Sequence, residues 1–208
     1  MGEFDAVLFD LLTALLDSWT LWNNVAGSEE NGCKWRAAYL RRTYETGAYR
    51  RYEALVAEAA TEVGLSEALA GQLAARYREL RPWPEVGKVL GSLRHDGVAL
   101  GIVTNCSEEL GAAAVACTGV AFDVVVTAER AGYYKPNPRP YQLALEELDV
   151  TSSRCLFVAG SAYDLFGAAK VGLRTYWHDR IGMTPPPNAP EPIEHHRSLR
   201  PLLGVAGH

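Results

Sequence analysis

Cysteine is scarce in this chain. Cys33, Cys106, Cys117 and Cys155 are its four, with neither a CxxC pair nor paired spacing. Reduced thiols used as small core residues are expected, not a disulfide framework or a thiolate metal site. The five histidines (His95, His178, His195, His196, His208) show no ligand spacing either. Excess positive charge is missing: 20 Lys+Arg against 25 Asp+Glu leave a net charge of −5 in 208 residues. That argues against a chain built to neutralise nucleic-acid phosphates. No apolar run approaches the roughly 20 residues of a membrane span. The opening MGEFDAVLFD puts two acids before its first apolar run, the wrong start for a secretory signal. Internal repeats are absent. What the chain has is 48% hydrophobic and 22% charged residues, enough for a real core. One acidic domain of α/β type is expected, cytoplasmic, with no nucleic-acid or membrane partner.

Short apolar runs recur at Ala6–Asp10, Val98–Asn105, Phe122–Thr127 and Cys155–Gly160, with a weaker one at Arg174–His178. Continuous runs of this length suit strands buried on both faces. Between them lie helical stretches at Glu85–Arg94, Glu108–Ala116, Pro138–Leu148 and Asp164–Val171. Strands alternating with helices predict βαβ units and a doubly wound parallel sheet. Residues 18–82 break the alternation. Tyr52, Leu55, Val56, Ala59, Ala60 and Val63 recur at helical spacing, Gly64 ends that segment, and another helix is predicted over Leu69–Leu80. The segment reads as a helical insertion into a core of residues 1–17 and 83–208. Thr184–Pro192 reads as a loop, followed by a last helix near His195–Leu203.

Active sites of open α/β sheets lie beyond the carboxyl ends of the strands. The residues delivered there are Asp10, then Thr104 and Asn105, then Ser161 with Asp164 close behind. Lys135 precedes Pro136 in the loop after the third run, where a helix is disfavoured. Each residue alone also reads as a turn, a cap or a surface charge. Together, two carboxylates, an ammonium and a hydroxyl–amide pair make a nucleophile site, with the lysine holding the carboxylates ionised.

FDLLTALLDS, VTNCS, YYKPNPRPY and VAGSAYDLFGAAKVG resemble, in order and spacing, the four motifs of the haloacid dehalogenase superfamily. The resemblance covers nearly the whole chain. It implies a Rossmann-like core, a movable helical cap at residues 18–82, and Asp10 as nucleophile. The phosphatases of the superfamily carry a general acid two residues after the nucleophile, where this chain has Leu12. They place another acid just before the serine of the fourth motif, where it has Gly160. The 2-haloacid dehalogenase branch fits better, because a halide leaves without a proton and that branch uses no metal or cofactor.

On that resemblance Arg36, beside Trp35, is the expected halide contact. Thr104 and Asn105, by backbone or side chain, are expected to take the substrate carboxylate, and Lys135 to keep Asp10 and Asp164 charged. Tyr141 matches a pocket tyrosine, and Asp164 is expected to activate or orient water. Gly160-Ser161 replaces a Ser-Asn pair, and Leu12 makes the wall more apolar than the family's tyrosine. In Leu12-Thr13-Ala14-Leu15 the hydroxyl near the nucleophile moves from position 14 to 13. The insertion is rich in arginine (Arg41, Arg42, Arg50, Arg51), which predicts a cationic surface facing an anionic substrate. The expected activity is that of a metal-independent 2-haloacid dehalogenase-like hydrolase, forming an Asp10 ester on a small anionic carboxylate. A magnesium-dependent phosphatase and a non-catalytic member are the alternatives; a homodimer is implied by family only.

Overall fold

A strand buried at every position needs helices on both faces of its sheet, and β1 (Ala6–Phe9) is such a strand. In the computed structural model, which describes residues 3–206, β1 lies at the centre. It is joined by β2 (Ala99–Thr104), β3 (Val124–Thr127), β4 (Cys155–Ala159), β5 (Arg174–His178) and β6 (Glu194–His196). All pairings are parallel, in the order β3-β2-β1-β4-β5-β6. The order reverses at β1, so the carboxyl ends of β1, β2 and β4 border one crevice, the place where such sheets bind ligands.

The helices are α1 (Ser18–Ala26), α2 (Glu29–Thr46), α3 (Tyr52–Glu62), α4 (Ala68–Ala75), α5 (Val86–His95), α6 (Glu108–Thr118), α7 (Ala128–Ala131), α8 (Pro138–Leu148), α9 (Asp164–Lys170) and α10 (Leu202–Ala206). Alternate residues of β1 face opposite sides. Val7 and Phe9 join one apolar cluster with α5, α6 and α10; Ala6 and Leu8 join another with α8 and α9. Among the described residues no helix is long and apolar enough to cross a membrane.

Helices α1 to α4 form the insertion. The chain leaves and returns at one place, where Leu16 and Pro82 pair in an antiparallel bridge. Asp17 N donates to Arg81 O at 2.8 Å and Trp83 N to Leu15 O at 3.0 Å. Asp17 and Ser28 cap α1 and α2 by accepting from backbone N–H groups. Trp22 and Trp35 pack at 4.6 Å between centroids, and Trp35 Nε1 donates to Val56 O at 2.8 Å. A second seam ties the insertion to the sheet. Tyr49 N donates to Gly132 O and Tyr134 N to Gly47 O, both at 2.8 Å, while the Ser107 hydroxyl donates to Glu53 at 2.8 Å.

Three sequence expectations need correction. The predicted helix over His195–Leu203 is instead the edge strand β6 followed by the short α10. Glu194-His195-His196 has no apolar run to announce a strand; it is held by stacking, His195 on Trp177 at 4.1 Å and His196 on Tyr176 at 5.6 Å. The helix predicted to reach Leu80 stops at Ala75 and continues as a 3₁₀ turn, Tyr77–Glu79. Three of the four expected arginines do not form a free cationic face: Arg41 and Arg42 pair with Glu62, and Arg42 and Arg50 with Glu58, while Arg51 stays exposed, 4.0 Å from Glu53. Their glutamate partners lie on α3, about one helix away, so the neutralisation is tertiary.

Candidate active site

At the end of β1, Asp10 N donates to Val158 O of β4 at 2.9 Å, which aims the side chain out over the crevice. The backbone then turns tightly. Thr13 N at 3.0 Å, Thr13 Oγ1 at 2.7 Å and Ala14 N at 3.3 Å all donate to Asp10 Oδ2. The hydroxyl beside the carboxylate is thus that of Thr13, as the shifted motif predicts. Lys135 Nζ lies 2.8 Å from Asp10 Oδ1 and 2.9 Å from Asp164 Oδ1. All three side chains are buried.

Two carboxylates share one ammonium, and their surroundings separate them. Burial pushes Asp10 up, but the charge and hydrogen bond of Lys135, with the Thr13 bonds, outweigh it and hold the carboxyl below its usual value. Asp164 has the same lysine but otherwise one long bond, from Ser161 N at 3.4 Å. Burial and the Asp10 charge outweigh Lys135 there and push Asp164 up to about 6. Burial lowers Lys135, but the two carboxylates more than compensate and raise it above its usual value. The result is an ionised Asp10 beside a group that exchanges a proton near neutrality.

These residues line a cavity of about 40 Å³ closed on the far side by α2. Leu12, Arg36, Thr104, Asn105 and Ser161 line it too. The Arg36 guanidinium is buried, 4.6 Å from the centroid of Trp19 and 5.1 Å from that of Trp22. Its Nε and Nη1, and Thr104 Oγ1, are buried without hydrogen-bond partners among the described residues. A buried donor left unpaired costs roughly 1–3 kcal/mol, more when charged. Such groups gathered around one cavity mark a site built for an anion.

The family of haloacid dehalogenase-like hydrolases matches residues 4–172. The (S)-2-haloacid dehalogenase 1 of Pseudomonas sp. (strain CBS-3) is 31% identical over 197 residues, covering 87% of either chain. Haloacetate dehalogenase H-2 of Moraxella sp. (strain B) is 28% identical over 198 residues, covering 88% of either. A dehalogenase solved with an intermediate complex superposes with a TM-score of 0.86 at 26% identity, over 100% of this chain and 99% of that one. The chain belongs to the haloacid dehalogenase-like hydrolases. Within them it stands in the 2-haloacid dehalogenase-like branch.

In this hydrolase not every expected site residue reaches the cavity. Tyr141 does not line it; its ring packs on Phe157 at 5.1 Å under the sheet, and its hydroxyl donates to the backbone oxygen of Asp164 at 3.4 Å. Its place on the inner face of α8 accounts for this: it supports α9 from below. The Asn105 side chain lines the cavity but is already engaged. Its Oδ1 accepts from Lys135 N at 2.7 Å and its Nδ2 donates to Lys135 O at 3.1 Å. It clamps the lysine loop, leaving the neighbouring Thr104 hydroxyl free. His178 is buried outside the cavity, its Nδ1 2.8 Å from Ala14 O.

Gly160 is explained by contact. A Cβ there would stand 2.2 Å from both Ala14 N and Thr13 Oγ1, so the turn that cradles Asp10 leaves no room for a side chain. A magnesium site does not fit these residues. The two acids already share an ammonium, position 160 cannot hold a third, and no group of three or more His, Cys, Asp or Glu side chains is poised for a metal among the described residues.

Tyr39, Leu40, Thr43 and Tyr44 also line the cavity and were not anticipated. They follow Arg36 at i+3, i+4, i+7 and i+8 along α2, so helical spacing from Arg36 identifies them. Tyr163, beside Asp164, completes the wall.

Proposed function

We propose that this hydrolase cleaves the carbon–halogen bond of a small 2-halo acid through an ester on Asp10, with residues 18–82 acting as a cap over a core of residues 1–17 and 83–208. The observation that carries the reading is the unpaired, buried Arg36 facing the same cavity as an ionised aspartate. An oxygen of Asp10 attacks the carbon bearing the halogen. The new C–O bond forms as the C–X bond breaks, and its electron pair leaves on the halide. Arg36 Nε–H and Nη1–H, among apolar and aromatic side chains, are placed to receive that charge where water cannot screen it. The Thr104 hydroxyl, unpaired beside the clamped lysine loop, serves the substrate carboxylate.

Water then attacks the ester. Asp164, with its carboxyl pushed up to about 6, is suited to take the proton of that water at neutral pH. Collapse of the tetrahedral intermediate restores Asp10 and releases a 2-hydroxy acid, with one proton passing to solvent. Ser161 and Lys135 hold the acids in place. The phosphatase alternative would have to take its leaving-group proton from water or the substrate, since Leu12 has none to give.

The test is halide release from chloro-, bromo- and fluoroacetate and from 2-chloropropionate. Wild-type protein is expected to release halide from at least one of them, and Asp10→Asn from none. Well-folded wild-type protein that releases halide from none overturns the reading, as does an active Asp10→Asn variant.

A further inference from the structure

We propose that Tyr44 and Tyr163 form an aromatic gate that restricts the site to 2-halo acids of two or three carbons. This rests on the dehalogenase reading above and names the substrate size it admits. Ten of the fourteen cavity-lining residues are buried; the four that reach towards solvent are Leu40, Tyr44, Asn105 and Tyr163. They are the rim. Across that rim the Tyr44 ring of α2 meets the Tyr163 ring at 5.4 Å between centroids and 61°, in edge-to-face geometry. Phe166 on α9 backs the pair, 6.0 Å from Tyr44 at 78°. Insertion and core therefore touch through aromatic rings at the rim of the cavity that holds the reacting groups.

The inner wall is already assigned by chemistry. The carbon under attack faces Asp10, the halogen goes to Arg36 and the carboxylate to Thr104. The alkyl substituent is left with Leu12, Tyr39, Thr43 and the rim. A methyl group fits against Leu12; a longer chain must part Tyr44 from Tyr163. One methylene in a fitted apolar pocket shifts selectivity by about 10- to 200-fold, so the rings set a cutoff, not a gradual preference.

The experiment compares kcat/KM for halide release along the series from 2-chloroacetate to 2-chlorohexanoate. Wild-type protein is expected to lose at least about tenfold between the three- and four-carbon acids. Tyr44→Ala, a substitution at a half-buried helical position, is expected to flatten the series to within about threefold. Glu45→Ala, on the exposed face of the same helix, is expected to keep the wild-type cutoff. Wild-type protein that turns over 2-chlorohexanoate as well as 2-chloropropionate overturns the gate, and so does a cutoff unmoved in Tyr44→Ala. If no acid releases halide, the dehalogenase reading fails by itself. The gate is then decided by binding of unhalogenated acetate to hexanoate, followed by quenching of tryptophan fluorescence. A cutoff that Tyr44→Ala removes supports it; equal affinity along the series, or no binding, overturns it.

Discussion

Lys135 brings one positive charge to two buried carboxylates, 2.8 and 2.9 Å away, so the lysine by itself neutralises only one of the pair. Asp10 spreads its share over three further donors, whereas Asp164 has little beyond the lysine. The proton therefore goes to Asp164. A carboxyl raised from 3.8 to about 6 by folding binds its proton more tightly in the native state than in the unfolded chain. Its contribution to stability is fully present below about pH 3.8 and is lost as pH rises through 6. Asp164→Asn removes that ionisation while keeping the shape. The variant is expected to be more stable than wild type at pH 7.5, by on the order of 1–3 kcal/mol, with the gain vanishing below pH 4. Denaturant melts at the two pH values check it. A less stable variant at pH 7.5 would show that the lysine bond outweighs the burial cost. Wild-type halide release is expected to fall on the acid side of about pH 6, where Asp164 can no longer accept a proton.

At the scale of elements, the site is a meeting of strand ends, and the β1 turn and the end of β4 approach within contact. Gly160→Ala drives a methyl into Thr13 and Ala14 backbone and side-chain atoms. It is expected to cost about 1–3 kcal/mol, as overpacking does elsewhere, and to lower halide release by displacing the Thr13 hydroxyl from Asp10. Thermal melts with and without the substitution measure the first effect; an unchanged Tm would mean that the turn yields freely. Four of the five longer strands were readable as apolar runs, β5 (Arg174–His178) only weakly because it mixes polar residues with Tyr176 and Trp177, and the reactive residues because they follow those runs. Edge strand β6 was not: its Glu-His-His carries no apolar signal and depends on rings of β5 brought beside it by the fold. The salt bridges between α2 and α3 were hidden for the same reason, since each arginine finds its glutamate only after two helices pack. Tyr44 differs: its spacing from Arg36 was present in the sequence and lacked only the knowledge of which face of α2 looked inward.

At the scale of the whole molecule, the helical insertion and the sheet share an interior. Trp22 and Trp35 of the insertion belong to the same buried cluster as Val7, Phe9, Ile102 and Val158 of the strands, with Leu15 and Leu16 among them. An insertion sharing its core with the sheet, and sewn to it at residues 15–17 with 81–83 and 47–49 with 132–134, cannot unfold while the sheet stays intact without exposing that apolar surface. Cooperative unfolding of the whole chain follows. Trp35→Ala tests this, because Trp35 is a fully buried residue of the insertion, packed against Trp22 and bonded to the Val56 carbonyl. Removing a buried tryptophan costs about 3–5 kcal/mol. In a single cooperative unit that loss lowers the protection of every slowly exchanging amide. Hydrogen exchange is therefore expected to accelerate in β1 and β4 as well as in α1 and α2, by similar factors. Acceleration confined to α1–α3, with β1 and β4 exchanging at the wild-type rate, would instead make the insertion an independently unfolding cap.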